Sequence, residues 1–374
     1  MKPLKLGMVG GGQGAFIGAV HRIAARLDGQ WQLVAGALSS DPQRAEASAQ
    51  ELGLDRNYAD FRQMAQAEAA RDDGIDAVAI VTPNHVHADP AIAFLEAGIH
   101  VICDKPLAAT AEDAARIKAA AEALPTHFIL THNYTGYPMI RQAREMVQAG
   151  ELGKLRLVQV EYAQDWLTEP TAPDNKQADW RTDPARSGAG AIGDIGTHAF
   201  NLAHFVTGEV PSHLAADLSS MVPGRLVDDN AHILLRYASG ARGMLWASQV
   251  AVGNENGLRL RIYGDRGGLE WSQEHPNHLY VSGFGRPTQI VTRGSSAMTS
   301  LDAQRASRVP SGHPEGYLEC FATLYNEAAD LIRGKHDAGR LSPGLRDGLL
   351  GVSFVSGALS SAKGNGKWVR VKLY

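Results

Sequence analysis

The first third of the chain alternates short apolar runs with segments of helical periodicity, and few architectures accept that rhythm. The runs Leu4–Val9, Gln32–Leu38, Ala77–Val81, Ile99–Cys103 and Phe128–Thr131 show little polar alternation, as strands buried on both faces do. Helix ends can be read between them. Ser40 precedes Asp41-Pro42 as a cap before first-turn residues, and Gly53 closes that helix. Pro90 opens another that Gly98 ends, and Thr110 with Asp113 starts a third that runs to Leu124. Strands alternating with helices predict an α/β domain: a doubly wound parallel sheet covered on both faces.

After about residue 150 the rhythm changes. Leu155–Tyr162, Ala231–Tyr237, Ala241–Val250, Leu258–Tyr263 and Gly268–Ser272 read as strands, several in succession with no helix between. That pattern predicts an α+β domain on a large, mostly antiparallel open sheet. Gly264–Gly268 is a tight turn between two of its strands. Helices are expected over Asp194–Phe205, Glu315–Ile332 and Pro343–Ala362, and Ser282–Pro314 is expected to be a long surface loop.

Composition removes several classes of function. Lys and Arg number 36 against 40 Asp and Glu, a net charge of −4 with no long block of one sign, so no nucleic-acid partner is expected. Two cysteines, Cys103 and Cys320, support neither a disulfide framework nor a Cys-rich zinc module. Fourteen histidines are present, but no H-E-x-x-H occurs, and no catalytic metal is expected even though His132, His198 and His204 can be gathered on paper. No apolar stretch approaches the ~18 residues of a membrane span. The glycine-broken opening does not read as a signal segment, so the expected compartment is the cytoplasm.

The most specific local signal follows the first apolar run. Gly10-Gly11-Gly12-Gln13-Gly14-Ala15 leads into a helix expected from Phe16 to Leu27, a G-x-G-x-x-A match in strand–turn–helix context. Gly10 would make the turn, Gly12 would let a pyrophosphate approach, and Ala15 would allow close helix–strand packing. Gln13, Phe16 and Ile17 complete this candidate NAD(P) contact. At the end of the second strand an acidic residue would hold a ribose 2′-hydroxyl. Ser39 and Ser40 stand there instead, with Arg44 one turn into the helix, and this tips the reading toward NADP. Ser40 and Asp41 acting only as helix caps would leave NAD open.

Three further motifs follow in order: Thr82-Pro83-Asn84-His85-Val86-His87, Cys103-Asp104-Lys105-Pro106, and Gly188 through Gly193-Asp194-Ile195-Gly196-Thr197-His198. With the glycine-rich turn they resemble the Gfo/Idh/MocA oxidoreductases over essentially the whole chain, including the late Lys367-Trp368-Val369 strand. The resemblance implies a Rossmann NAD(P)-binding domain over 1–135 and a substrate-binding and oligomerisation domain over 136–374. It implies hydride transfer between nicotinamide and a ring carbinol of a sugar or cyclitol, in a homodimer or homotetramer. Thr82, Pro83, Asn84, His87, Asp104 and Lys105 would face the cofactor, with a cis bond before Pro106 aiming Lys105.

Lys105, Asp194 and His198 match the family's catalytic set. Independently, a carboxylate and an imidazole four residues apart on a helix project from one side and suit proton transfer. Trp180-Arg181 and Asp165-Trp166 offer aromatic plates beside charged groups, which suit a polyhydroxylated ring. Asn133 and Tyr134 join them as candidate substrate contacts, although Tyr134 and Thr135 stand where many relatives carry arginine. The turn is also longer than usual, with Gly14–Ile17 inserted before Gly18 and His21. A redox-neutral lyase or epimerase retaining its cofactor, or a non-catalytic NAD(P)- and sugar-binding regulator, would fit the same motifs. The loop Thr168–Asp183 would shape specificity.

Overall fold

The computed structural model of the chain describes residues 2–171 and 175–372. Part of the loop expected to shape specificity, residues 172–174, lies outside them. The first elements are β1 (Leu4–Gly10), α1 (Phe16–Leu27), β2 (Trp31–Ala37), α2 (Pro42–Leu52), β3 (Arg56–Asn57) and α3 (Phe61–Ala69). They are followed by β4 (Ala77–Val81), α4 (Ala88–Glu96), β5 (His100–Cys103), α5 (Ala111–Ala123) and β6 (Phe128–Leu130). The strands form a sheet of order β3-β2-β1-β4-β5-β6, parallel at each pairing. Its central strand β4 is buried at all five positions, which is why the run Ala77–Val81 carries no polar residue.

Two helix starts differ from expectation. Asp41, not Ser40, caps α2, its carboxylate accepting the Arg44 N–H at 2.9 Å; Pro42 then occupies the first helical turn, where its missing N–H costs nothing. The helix expected from Pro90 begins at Ala88, after a single 3₁₀ turn over Asn84–Val86. Thr110 caps α5 as read, accepting the Asp113 N–H.

The later elements are α6 (Pro138–Gln148), β7 (Leu155–Ala163), α7 (Lys176–Arg181), α8 (Pro184–Ser187) and α9 (Thr197–Thr207). Then come β8 (Pro211–Ser219), β9 (Asn230–Tyr237), β10 (Arg242–Ser248), β11 (Gly257–Gly264), β12 (Gly267–Ser272), β13 (His278–Gly283) and β14 (Gln289–Thr292). Helices α10 (Leu301–Arg305), α11 (Tyr317–Ile332), α12 (His336–Gly339) and α13 (Leu345–Lys363) precede β15 (Val369–Arg370). The segment expected to be a loop, Ser282–Pro314, thus contains β14 and α10. The second sheet runs β14-β13-β12-β11-β7-β10-β9-β8-β15. It is antiparallel except where β10 pairs with β7. Along β9 and β11 burial alternates residue by residue, so each strand has one covered and one open face.

The chain divides into two compact units, residues 1–133 with 317–349, and residues 134–316 with 350–374. The contiguous division at residue 135 is therefore corrected: α11, α12 and the start of α13 belong with the parallel sheet. Buried polar contacts account for their return. Tyr325 of α11 bonds His21 of α1 through its hydroxyl at 2.8 Å and accepts the Trp31 indole N–H through its carbonyl at 2.8 Å. No helix among the described residues is long and apolar enough to cross a membrane.

Candidate active site

In the first unit, β1 ends at Gly10 and Gly11 with φ of +79° and +73°, a region that L side chains rarely adopt. A Cβ on Gly10 would lie 2.9 Å from Thr82 Cγ2, so the ends of β1 and β4 approach because Gly10 has none. The Gly12 N–H donates to Leu38 O at 3.2 Å and the Gln13 N–H to Ser48 Oγ at 3.1 Å. These bonds lean the turn on the end of β2 and on α2. The close helix–strand packing expected of Ala15 belongs instead to Gly18, whose Cβ would lie 2.5 Å from Gly11 Cα. Ala15 precedes α1 and donates its N–H to Gly12 O. The inserted residues displaced the tight contact to the next available glycine.

Gly10, Gly12, Gln13, Ala15, Ser39, Ser40, Arg44, Thr82 and Pro83 line one cavity of about 490 Å³ at the carboxyl ends of β1, β2 and β4. This is the edge where open α/β sheets take their ligands. Thr82 Oγ1 is buried there with no hydrogen-bond partner among the described residues, and none of the described residues bonds or pairs with the Arg44 guanidinium, which lines the cavity. An orphan hydroxyl at one end and an available cation at the other fit a phosphate-bearing dinucleotide. Ser48, Asp60, Phe61 and His85 also line the cavity. Sequence reasoning missed Asp60 and Phe61 because β3, which delivers them, is two residues long and shows no periodicity; Ser48 sits inside α2, where nothing in the sequence singles it out, and His85 stood in the motif after β4 without a role. Phe16 is 64% exposed and borders a separate hollow of about 340 Å³, and Ile17 is half-buried in the first turn of α1.

Asn84 and His87 are buried. The His87 ring lies between two backbone carbonyls, Nδ1 at 2.8 Å from Pro106 O and Nε2 at 2.9 Å from Thr82 O. It ties the strand-end motif after β4 to the one after β5, in place of the cofactor contact expected of it. Burial holds its pKa below the ordinary histidine value. Asp104 accepts the Thr131 hydroxyl at 2.9 Å and lies 3.5 Å from His21 Nε2. Burial alone would raise its pKa, but His21, Lys105 and His87 outweigh that and hold it below the usual carboxylate range. The Lys105–Pro106 bond is cis, and Lys105 is half-buried.

In the second unit, Asp194 does not sit in a regular helix. Ile192–Gly196 form a π-turn and α9 starts only at Thr197, a local irregularity often found at functional sites. The cause lies in the glycines and in Asp228. The Asp228 carboxylate accepts the Gly190 and Ile192 N–H groups, both at 2.8 Å. A Cβ on Gly190 would fall 1.7 Å from Asp228 O. Asp194 Oδ2 accepts the Gln249 side-chain N–H at 2.9 Å and lies 3.3 Å from Arg181 Nε. Arg181 stacks over Trp180 at 4.3 Å. His198 is 7% exposed, with the Tyr134 ring edge-on at 4.9 Å and Tyr162 at 6.2 Å.

The tyrosines open a polar chain. The Tyr134 and Tyr162 hydroxyls are 2.5 Å apart, and the Tyr162 hydroxyl donates to Asn256 Oδ1 at 2.8 Å. Gln164 Nε2 donates to the same oxygen, and Trp166 Nε1 donates to Gln164 Oε1. Tyr134, His198 and, through side chains, Trp166 thus form one group, and Asp194, Arg181 and Trp180 a second; the chain from the π-turn into α9, Asp194 to His198, joins the two. Two predicted residues are occupied elsewhere. Asp165 accepts the Gly253 N–H at 3.0 Å, pinning a loop, and Asn133, in the first unit, donates to Cys320 Sγ at 3.4 Å.

Residues 4–132 match the family described as an oxidoreductase family with an NAD-binding Rossmann fold, and residues 140–270 match the GFO/IDH/MocA C-terminal domain. The chain belongs to the Gfo/Idh/MocA oxidoreductase family. A crystal structure of an oxidoreductase from Sinorhizobium meliloti is similar at 55% identity and TM-score 0.91, covering 99% of this chain and 100% of that one. An inositol dehydrogenase homolog from Azotobacter vinelandii, solved with NADH and myo-inositol, is 36% identical with TM-score 0.91, covering 99% and 98%. Levoglucosan dehydrogenase from Pseudarthrobacter phenanthrenivorans is 28% identical over 99% of both chains.

Within this oxidoreductase, the residues that sequence reasoning missed support the named ones. Gln249, Asp228, Tyr162 and Asn256 lie far along the chain from the partners they hold. Only Asp228-Asp229 carried a signal, a pair of acids just before a strand whose inward positions are apolar.

Proposed function

We propose that this protein is an NAD(P)-dependent dehydrogenase that moves hydride between nicotinamide and a ring carbinol of a sugar, sugar derivative or cyclitol. The observation that carries the reading is the buried His198, edge-on to Tyr134 and one turn after an Asp194 held by Arg181 and Gln249. A bound nicotinamide supplies the hydride acceptor or donor; the chain supplies orientation and proton handling. His198 takes the carbinol proton as the C–H bond breaks, and Lys105 donates a hydrogen bond to the oxygen that becomes the carbonyl. Asp194, ionised beside Arg181, sets the local charge. Names of relatives support the substrate class: inositol and levoglucosan are both polyhydroxylated rings.

NADP is the cofactor this reading favours. Asp41, the nearest acid to the end of β2, is committed to capping α2, whereas Ser39, Ser40 and Arg44 face the cavity. Cys103 and Cys320 are buried and neither is held in a disulfide, in keeping with a reducing cytoplasm. The open face of the second sheet carries Leu157, Leu234, Tyr263, Tyr280 and Ile290, each at least 37% exposed. A homodimer or homotetramer would cover that face. A monomeric mass by light scattering at micromolar concentration would refute that assembly.

The test follows the absorbance of reduced nicotinamide with NAD and NADP against inositols, aldoses and anhydro-sugars, beside Lys105→Ala and Arg44→Ala. The expected result is turnover that Lys105→Ala removes, with Arg44→Ala raising the KM for NADP about tenfold and leaving that for NAD unchanged. That tenfold corresponds to ~1.4 kcal/mol, a single charge-assisted contact. Cofactor retained through purification with no net turnover would instead favour internal redox recycling. Absence of any cofactor affinity would overturn the dehydrogenase reading.

A further inference from the structure

Gln249 follows β10 and is 2% exposed. A buried primary amide is costly unless its groups are bonded, so its placement asks for a reason. The backbone is fixed on both sides: the Gln249 N–H donates to Asp229 O at 2.9 Å, and its carbonyl accepts the Leu167 N–H at 3.1 Å. The side chain is therefore aimed by the sheet, and it delivers one N–H to Asp194 Oδ2 at 2.9 Å. The same oxygen lies 3.3 Å from Arg181 Nε.

We infer that Gln249 is a positioning residue for Asp194. It holds the carboxylate of the π-turn in one orientation and favours its ionised form without adding charge. This rests on the reading that Asp194 and His198 handle the proton. The division of labour follows from the two donors. Arg181 supplies charge from α7, a six-residue helix, whereas Gln249 supplies direction from the end of a central strand. A neutral donor that bonds the charged form of a carboxylate lowers its pKa, and removing that donor raises it. Of the ionisable groups on the elements around Asp194, His198 lies one turn on in α9, Arg181 on α7, and Asp228 and Asp229 just before β9; His204 lies further along α9, Asp179 on α7, His232 and Arg236 on β9, and Arg242 on β10. Asp228 is spent on the Gly190 and Ile192 N–H groups. Asp229 accepts the Met221 and Val222 N–H groups and lies 4.0 Å from Arg225. Gln249 is the neutral member of this set, and its replacement by a carboxylate would set two acids on one proton.

The experiment titrates the full-length protein by carbon-13 NMR of aspartate carboxyl groups, with Asp194→Asn assigning the Asp194 signal, for wild type, Gln249→Leu and Gln249→Glu. The Asp194 midpoint is expected to rise by about one pH unit in Gln249→Leu and further in Gln249→Glu. The acidic limb of kcat/KM should move with it, while the cofactor Kd stays unchanged. Should Gln249→Glu not fold, Gln249→Met, which keeps the length and loses the N–H, is expected to match Gln249→Leu. An Asp194 midpoint identical to wild type in the folded variants would overturn the inference. The underlying reading fails separately, by full activity in Asp194→Asn with the midpoint still shifted in Gln249→Leu.

Discussion

Gly18 has no room for a side chain, and its neighbour is backbone, which cannot rotate away. A Cβ there would meet Gly11 Cα at 2.5 Å and Gly11 O at 2.6 Å. Gly18→Ala must therefore push α1 away from the turn that edges the cofactor cavity. Overpacking of this kind costs about 1–3 kcal/mol. The expected outcome is a loss of that order in urea unfolding, together with weaker dinucleotide binding followed by nicotinamide fluorescence. Wild-type affinity and stability in the variant would show that the approach is not needed. The same residue shows where a motif stops being legible. G-x-G-x-x-A fits the letters at Gly10, Gly12 and Ala15, but three-dimensional closeness depends on where the helix begins. The inserted Gly14–Ile17 moved that point. Gly10, Ser39, Ser40, Arg44, Thr82 and Pro83 were readable because each lies next to a strand end, and strand ends follow from apolar runs. His87 and Asp104 were readable as polar residues at the right edge, but not as structural ties, since their partners lie on other elements.

At the scale of elements, long buried strands and capped helices were legible, whereas short or irregular elements were not. The two-residue β3 carries no period, and β14 hides in a Gly- and Ser-rich segment. The π-turn at Ile192–Gly196 depends on Asp228, more than 30 positions away. A further element-level feature joins the starts of β5 and β6 to α12. His100 and His127 stack at 5.2 Å, and His336 lies 6.0 Å from His127. His100 Nδ1 accepts the His127 backbone N–H at 2.9 Å, which requires that nitrogen to be unprotonated. Burial first, and then His127, lowers the His100 pKa, against a weaker opposing effect of Asp76. Burial and His336 lower that of His127, opposed by a hydrogen bond to the Leu331 carbonyl. Because the folded values lie below the unfolded value of about 6.5, the unfolded chain binds more protons as pH falls. Stability is therefore present above about pH 6.5 and declines as pH drops below it. His100→Asn keeps an acceptor for the His127 N–H and cannot titrate, so its melting temperature should fall less between pH 7 and pH 5 than wild type. Equal slopes would remove His100 from the account.

At the scale of the whole molecule, chain order and physical unit part company. The parallel sheet was legible from its rhythm, but the helices that complete its unit arrive nearly two hundred residues after β6. No local pattern says which sheet a late amphipathic helix will join. The structure supplies the reason in pairs: His21 with Tyr325, Trp31 with Tyr325 O, Asp28 with Asn326, and Leu130 N–H with Pro343 O. These bond buried or half-buried groups on α1, β2 and β6 that would otherwise meet water or nothing. Residues 1–133 alone would expose them, and with them the apolar faces of α1 and β2. Trp31, the sole tryptophan of the first unit and 3% exposed, reports the difference directly. A fragment of residues 1–133 should emit as a solvated indole and fail to retain a dinucleotide. The same fragment joined to residues 317–349 by a flexible Gly/Ser linker should emit as a buried indole and bind cofactor. If residues 1–133 fold and bind unaided, α11 is an ornament of the first unit rather than part of it, and the Tyr325 contacts contribute little to its stability.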